Sequence, residues 1–362
     1  MSVLFFIYGL GMGGAEKNTV KLANYLVSKG LNVSILTLSD ENLLENTISK
    51  EITLYSLGSK KIIGNLGKIF CFLKDNSFDI AFVNVWPLTS ITALAGCCLK
   101  TKIIPIEHGI LSKEFKHKGK VFCWLQDLSI FISYNFLSNQ VITVSNAAKK
   151  DLQHKGVFKK RITVIYNSFD EFTESDVPLK HLEWVEHQGP KLITIANLKS
   201  EKNLFNLLKA FKKIDLETEL CIKLLIVGSG PQEHELKELS KELEIDQHVV
   251  FAGLIINPYP YLDKADMFVL SSDFESFGIV ILEAMSLGKT IVSTESEGPR
   301  EIINDSSLGY LCKVNDPNDL ANKIIKALKN PLDKNDVMIR SQDFAIEKIG
   351  AIYEDFIKMQ VG

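Results

Sequence analysis

The sequence predicts an α/β protein built as two doubly wound parallel-sheet domains, and three observations predict it. Short apolar runs alternate with amphipathic segments along nearly the whole chain, the signature of parallel strands covered by helices on both faces. The alternation pauses once, across the polar stretch YNSFDEFTESDVPLKHLEWVEHQGP at 166–190, and then restarts. The chain is 362 residues long, enough for two ordinary cores.

Taken in order, the first half offers strands near 2–8, 32–38, 52–55, 79–84, 102–107, 140–144 and 162–165, with helices between most of them. These strands read as unbroken apolar runs, as strands buried on both faces do. The second half repeats the scheme with KLITIA (191–196), IKLLIV (222–227), VVFAG (249–253), MFVL (267–270) and TIVST (290–294). The polar stretch between them carries Pro178 and Pro190 and has no apolar periodicity, so it is the expected linker. The expected domains are 1–175 and 176–340, followed by a C-terminal helix at 341–362. No fixed-period repeat or low-complexity tract interrupts them.

Composition narrows the function classes. The chain is 46% hydrophobic and 23% charged, with mean hydropathy +0.09, the balance of a soluble globular protein. No apolar run reaches the ~18 to 20 residues of a membrane helix. The N-terminal apolar run has no basic region before it and ends in glycines, so it reads as a first strand rather than a signal peptide. Six cysteines show neither C-x-x-C spacing nor nearby histidines. Neither a metal site nor a disulfide framework is expected, and a reducing cytoplasm is the expected location. Net charge is only −3, which argues against a nucleic-acid coat. Residues 1–175 nevertheless hold 20 Lys+Arg against 14 Asp+Glu, and residues 176–362 hold 21 against 30. That asymmetry predicts that the first half meets something anionic.

In doubly wound sheets, ligands bind where strands end at their carboxyl side and loops enter helices. The first such loop is glycine-rich. Gly9, Gly11 and Gly14 fall in the spacing G-x-G-x-x-G after the first strand, and a second strand ends at Asp40. That is a dinucleotide fingerprint, weak when it stands alone.

The most informative loop is SSDFESFGIVILEAMSLGK at 271–289. Glu275 precedes a helix and Glu283 falls about two turns into it, so both carboxylates can face one crevice without touching. A carboxylate accepts two hydrogen bonds, which suits paired hydroxyls on a sugar or a ribose. The amides around Phe277, Gly278 and Ile279 form a helix N-terminus able to hold a diphosphate. The plainer reading is an exposed Glu favoured by the helix dipole, plus a structural Glu on the helix.

ESFGIVILEAMSLGK followed by EGPREII resembles the donor-binding signature of retaining glycosyltransferases of family four, of the bacterial polysaccharide, O-antigen and capsule type. The same resemblance runs through GGAE (13–16), EHG (107–109), VSNAAKKDL (144–152), VIYNSFD (164–170), KSEKN (199–203), LLIVGSGP (224–231) and VVFAGL (249–254), in the family's order and spacing. It implies the GT-B fold: two Rossmann-like domains facing a cleft, the first binding the acceptor, the second the nucleotide-sugar, and the C-terminal helix crossing back to the first.

The resemblance assigns Glu275 to donor-sugar hydroxyls, Glu283 to the ribose and Lys202 to the leaving diphosphate. A fixed cation suits the charge that accumulates as the glycosidic bond breaks. Otherwise Lys202 is a solvated lysine at a helix start, where a positive charge is mildly disfavoured. The family often has an Arg in a GRL triplet five residues before this Lys; here the triplet is ANL, with Asn197. Asn donates to phosphate without charge or fork, so Lys202 and the helix amides carry more, or Arg300 contributes. A lone His at the end of a strand such as His108, closing KIIPIEH, is usually structural; the resemblance instead implies that it contacts the donor sugar near the reacting carbon. Gly13 and Gly14 would clear space beside the donor phosphates. Nothing resembles a D-x-D metal site, no cofactor is expected, and transfer would be retaining and metal-independent.

The segment 111–137 places Lys113, Lys116, Lys118 and Lys120 beside Phe115, Phe122 and Trp124. Lysines among aromatics suit an anionic membrane surface or a lipid-linked diphosphate acceptor. Beyond Val121 the segment reads as a core helix. Lys149–Lys150 and Lys159–Arg161 would enlarge the patch or simply be solvated. The expected partners are a nucleotide-sugar donor, commonly a UDP-sugar among look-alikes, and a saccharide acceptor carried on a lipid, with no nucleic acid. Peripheral association with the inner leaflet is part of this reading. Three alternatives stand beside it: an NAD-dependent oxidoreductase using the N-terminal glycines, a nucleotide-sugar epimerase of the same fold, and a sugar-nucleotide binder without turnover.

Overall fold

The computed structural model describes residues 1–169 and 180–362. The middle of the expected linker, and with it the expected boundary at 175/176, lies outside the described residues. The chain divides into two compact units, Met1–Phe169 with Phe344–Gly362, and Asp170–Asp343.

Unit 1 runs β1 (Ser2–Ile7), α1 (Gly14–Ser28), β2 (Asn32–Thr37), β3 (Thr53–Ser56), α2 (Leu66–Asn76), β4 (Ile80–Asn84), α3 (Leu88–Gly96), β5 (Lys102–Glu107), α4 (Leu111–Glu114), α5 (Lys120–Ile132), β6 (Val141–Thr143), α6 (Asn146–His154) and β7 (Ile162–Val164). Among the described residues its sheet has seven strands in the order β3-β2-β1-β4-β5-β6-β7. Every pairing is parallel, with Phe5 opposite Ile35 on one side and Phe82 on the other. Leu4, Phe6, Leu36, Leu73, Val83 and Ile103 form a core on one face. Burying each such side chain contributes about 2 kcal/mol.

Unit 2 runs α7 (Leu182–Val185), β8 (Lys191–Ile195), α8 (Leu204–Glu217), β9 (Lys223–Val227), α9 (Glu233–Glu242), β10 (Val249–Gly253), α10 (Tyr259–Lys264), β11 (Met267–Leu270), α11 (Ile279–Ser286), β12 (Thr290–Thr294), α12 (Glu297–Ile302), β13 (Tyr310–Cys312), α13 (Pro317–Lys329) and α14 (Lys334–Ser341). Its sheet has six parallel strands among the described residues, in the order β10-β9-β8-β11-β12-β13. β13 is an addition to the five strands expected from sequence. At three residues it is too short to stand out as an apolar run, and pairing with β12 at Val292↔Tyr310 makes it a strand. Leu207, Phe211 and Ile214 of α8 share a core with Leu320 and Ile324 of α13. Asp316 starts α13 by accepting from the amides of Asn318 and Asp319, with Pro317 in the first turn where its missing N–H costs nothing.

α15 (Ile346–Val361) returns to unit 1. Its apolar residues Ile349, Tyr353, Phe356 and Ile357 recur at helical spacing and are buried. Tyr353 meets Phe82 of β4 edge to face, with ring centroids 5.5 Å apart. Gly350 lets α1 approach, since a Cβ there would stand 2.3 Å from the Tyr25 ring. The Tyr25 hydroxyl then donates to Glu354 at 2.8 Å.

Each sheet therefore has one switch point, where the winding reverses: between β1 and β4 in unit 1, and between β8 and β11 in unit 2. Loops at the carboxyl ends of those strands diverge and leave a crevice.

Candidate functional site

In unit 2, β8 and β11 pair at Met267↔Leu192 and Phe268↔Ile193, which brings the loops that follow them side by side. Ser271 donates to the Lys202 carbonyl at 2.9 Å, and the Asp273 amide to the Glu201 carbonyl at 2.8 Å. Asn203 Nδ2 donates to Asp273 at 2.6 Å and to Asn315 at 3.1 Å. Asn203 sits at φ +44°, a left-handed conformation Asn tolerates, and its side chain caps α8 by accepting from Asn206 N.

This bracing puts Lys202 Nζ 2.5 Å from Glu275 Oε2, with side chains only 21% and 18% exposed. Lys202 ends a short 3-10 turn, Ser200–Lys202, just ahead of α8. An ion pair shielded to this degree is worth more than an exposed one, and removing either partner strands a charge.

Glycines make the crossing loops possible. A Cβ at Gly298 would lie 2.4 Å from the Phe277 backbone, and the Gly298 amide donates to the Glu275 carbonyl at 2.9 Å. A Cβ at Gly228 or Gly230 would collide with the carbonyls of Ala196 or Leu198. The glycines of GSGP and EGP are thus close-approach residues for the loops after β8 and β11. Gly278, at φ +100°, opens α11, so Ile279 is its first residue. Glu283 is 5% exposed and stands fifth in α11, just over one turn in. Asn197 is exposed at the end of β8. Arg300 lies on α12 in an exposed pair with Glu295 at 2.7 Å. An open groove of about 1000 Å³ runs along α9 and β10, lined by His234, Lys237 and Phe251 among others; Lys202, Glu275 and Glu283 are not part of it.

In unit 1, His108 follows β5 directly. Its Nε2 lies 2.8 Å from Asn84 Oδ1 at the end of β4. Asn84 Nδ2 donates to the Phe6 carbonyl at 3.2 Å, which turns its Oδ1 toward the ring and makes Nε2 the protonated nitrogen. Nδ1 is sealed from solvent and has no partner among the described residues. Burial pushes the imidazole pKa down to about 4, so the ring is neutral. The Glu114 carboxylate lies against Gly109, so a side chain there would displace it.

Glu107, 1% exposed, accepts from the Tyr134 hydroxyl and, at 3.2 Å, from Thr89. Burial pushes its carboxyl up to about 7, against those hydrogen bonds. Gly13 caps α1 with no side chain to lend, and a Cβ there would run into the Glu16 carboxylate. An anion near Gly14 would therefore share this terminus with Glu16. Asp40 accepts from Ser56 at 2.5 Å, at the end of β3.

Lys113 is on α4, while Lys116, Lys118 and Lys120 are exposed around the start of α5. Phe115 and Phe122 pack edge-on against Trp86 at 5.4 and 5.8 Å. The expectation of a core helix beyond Val121 needs correction. Gln126, Ile130 and Tyr134 are buried, but Val121, Trp124, Leu125, Leu128, Ile132 and Phe136 are exposed. The segment is apolar all round, so its pattern carries no sign of which side stays at the surface.

The sequence reading missed Asn84, Asn203, Asp273 and the Glu107–Tyr134–Thr89 cluster. Asn84 ends a strand in a crevice position, and Asn203 and Asp273 flank Lys202 and Glu275, so position after a strand was the available signal.

Comparison with known proteins agrees with this architecture. The model described as "Glycosyl transferases group 1" matches residues 183–342, and "Glycosyltransferase Family 4" matches residues 12–171. N-acetyl-alpha-D-glucosaminyl L-malate synthase of Bacillus anthracis is 32% identical over 236 residues, which span 63% of this chain and 61% of that enzyme. N-acetylgalactosamine-N,N'-diacetylbacillosaminyl-diphospho-undecaprenol 4-alpha-N-acetylgalactosaminyltransferase of Campylobacter jejuni is 26% identical, covering 99% of this chain and 98% of that one. The structure of Anabaena Alr3699/HepE in complex with UDP and glucose superposes with a TM-score of 0.83 at 19% identity, over 99% of this chain and all of that one. The fold is GT-B. These similarities favour neither an NAD-dependent oxidoreductase nor an epimerase.

Proposed function

The chain belongs to the glycosyltransferases of group 1 and family 4, and we propose that it moves a hexose or N-acetylhexosamine from a UDP-sugar to a saccharide carried on a lipid diphosphate, with retention at the anomeric carbon. The Lys202–Glu275 pair at the switch point of unit 2 carries this reading. One member is a cation suited to the diphosphate; the other is an acceptor suited to sugar hydroxyls. As the glycosidic bond breaks, negative charge moves onto the departing phosphate. Lys202 and the first amides of α11 stabilise it without reorganising.

Donor binding inserts between the two partners and exchanges their mutual contact for contacts to phosphate and hydroxyl. Glu283 is assigned to the ribose and Asn197 to a phosphate oxygen. The attacking hydroxyl approaches on the face the phosphate leaves, and a phosphate oxygen takes its proton. This scheme needs no metal, since its positive charge comes from Lys202 and helix amides.

The acceptor class draws on the Campylobacter relative, whose name specifies an undecaprenol diphosphate saccharide. Synthesis of a bacterial surface polysaccharide on the cytoplasmic face of the membrane is the setting that fits. Thermal-shift measurements with UDP, GDP, their common sugars and NAD test the donor. UDP or a UDP-sugar should raise the melting temperature, and Lys202→Ala should reduce the shift from UDP far more than that from uridine. A shift with NAD and none with any nucleotide-sugar would overturn the reading.

A further inference from the structure

The outer face of α5 is unlike that of any ordinary surface helix. Val121, Trp124, Leu125, Leu128, Ile132 and Phe136 recur every three or four residues and so line one side of α5 and the turn after it. All six are between 39% and 72% exposed. The opposite side is already used: Ile130 and Tyr134 pack into a core with Leu111, Val141, Leu152, Val157 and Ile162. A helix with one face in the core should present a polar face to water. From Val121 to Leu137 the sequence holds a single charged residue, Asp127, and Lys155 neutralises it at 2.7 Å.

The ends of this apolar face are basic. Lys116, Lys118 and Lys120 are exposed at its start. At its far end Phe136 packs edge-on against Phe131 and Phe158, at 5.7 and 6.2 Å, which brings in exposed Lys159 and Lys160 directly after Phe158. An apolar strip about 20 Å long, bracketed by cations, matches a bilayer interface: acyl chains under the middle and lipid phosphates at both ends. A second copy of this chain fits less well. Its own face would bring lysines and one already paired aspartate to meet these lysines.

We propose that the outer face of α5 docks on an anionic lipid surface, with Trp124, Leu125, Leu128 and Ile132 entering the interface and the lysines at its two ends meeting lipid phosphates. α5 then lies in the plane of the leaflet. This rests on the proposed function only for its purpose, which is to hold unit 1 where a lipid-linked acceptor resides. The docking itself needs neither donor nor acceptor.

Sedimentation of the full chain with vesicles of phosphatidylcholine, with and without phosphatidylglycerol, tests it. The protein should pellet with the anionic vesicles and be released as salt rises. Trp124 supplies a second readout, because Trp184 is buried and Trp86 half-buried: its emission should shift to the blue and be quenched by brominated lipid. Leu125→Ser with Leu128→Ser should weaken vesicle binding at least about tenfold while the melting temperature and the UDP-induced shift persist. Equal binding by that variant, no binding by the parent chain, or a dimer that the variant dissolves would each overturn the proposal. A chain that binds vesicles but no nucleotide-sugar keeps the docking and loses the function; one that binds UDP but no vesicles does the reverse.

Discussion

The two sheets share one winding plan, and the groups at the carboxyl ends of their strands stand in different electrostatic surroundings. In unit 2 the crevice groups are kept charged: Lys202 and Glu275 pair at 2.5 Å with about a fifth of each side chain exposed. In unit 1, at the ends of β4 and β5, burial works against charge. His108 is pushed down to about 4 and Glu107 up to about 7, burial being the first cause of both shifts. Topology thus places polar residues at strand ends, while local burial decides whether charge is favoured on them.

Breaking the charged crevice should have the largest effect. Glu275→Ala and Lys202→Ala should each lower transfer by about a hundredfold or more, and the double variant should be little worse than either, because the two act on one breaking bond. Steady-state rates checked against an unchanged circular dichroism spectrum decide this. Near wild-type turnover in Glu275→Ala would remove the pair from the chemistry.

A smaller effect is expected from the bracing behind that pair. Gly298→Ala forces a methyl into the Phe277 backbone and should destabilise unit 2 by about 2 kcal/mol, with weaker UDP binding. Urea unfolding measures the first and calorimetry the second. If both are unchanged, the loop after β11 does not depend on that close approach.

The buried groups of unit 1 should respond through pH. The folded protein keeps the Glu107 proton up to about 7, whereas an unfolded chain gives it up near the ordinary carboxylate value. The stability this group contributes is therefore complete at acid pH and is lost as pH rises through about 7. Glu107→Gln should flatten that decline, by on the order of 2 kcal/mol, in urea unfolding between acid and neutral pH. His108 works in the other direction. Its unfolded form takes up a proton first, so its contribution is complete above the ordinary histidine range and falls as pH drops toward 4. A Glu107→Gln profile that still falls as steeply as the parent's would sink the buried-carboxyl account.

Much of this was legible in the sequence. Apolar runs marked the strands, and the spacing of Glu275 and Glu283 marked a loop entering a helix. Lys202 stood out because a lysine after a strand and before a helix needs a reason. Its pairing with Glu275 was not legible, because the two are 73 residues apart and become neighbours only when β8 is placed beside β11. Glycine patterns were visible, but their purpose was not: Gly298 and Gly230 matter for what crosses them. The apolar segment at 121–137 was read inward, since nothing in its pattern separates a core face from one that stays outside.

The sequence by itself determined most of the strands and helices and where loops enter helices, because periodicity, caps and turn preferences depend on near neighbours. Only the tertiary structure decided which loops touch, which charges survive burial and which apolar face remains exposed. Those outcomes depend on strand order and packing between residues as distant as Asn203 and Asn315, 112 positions apart.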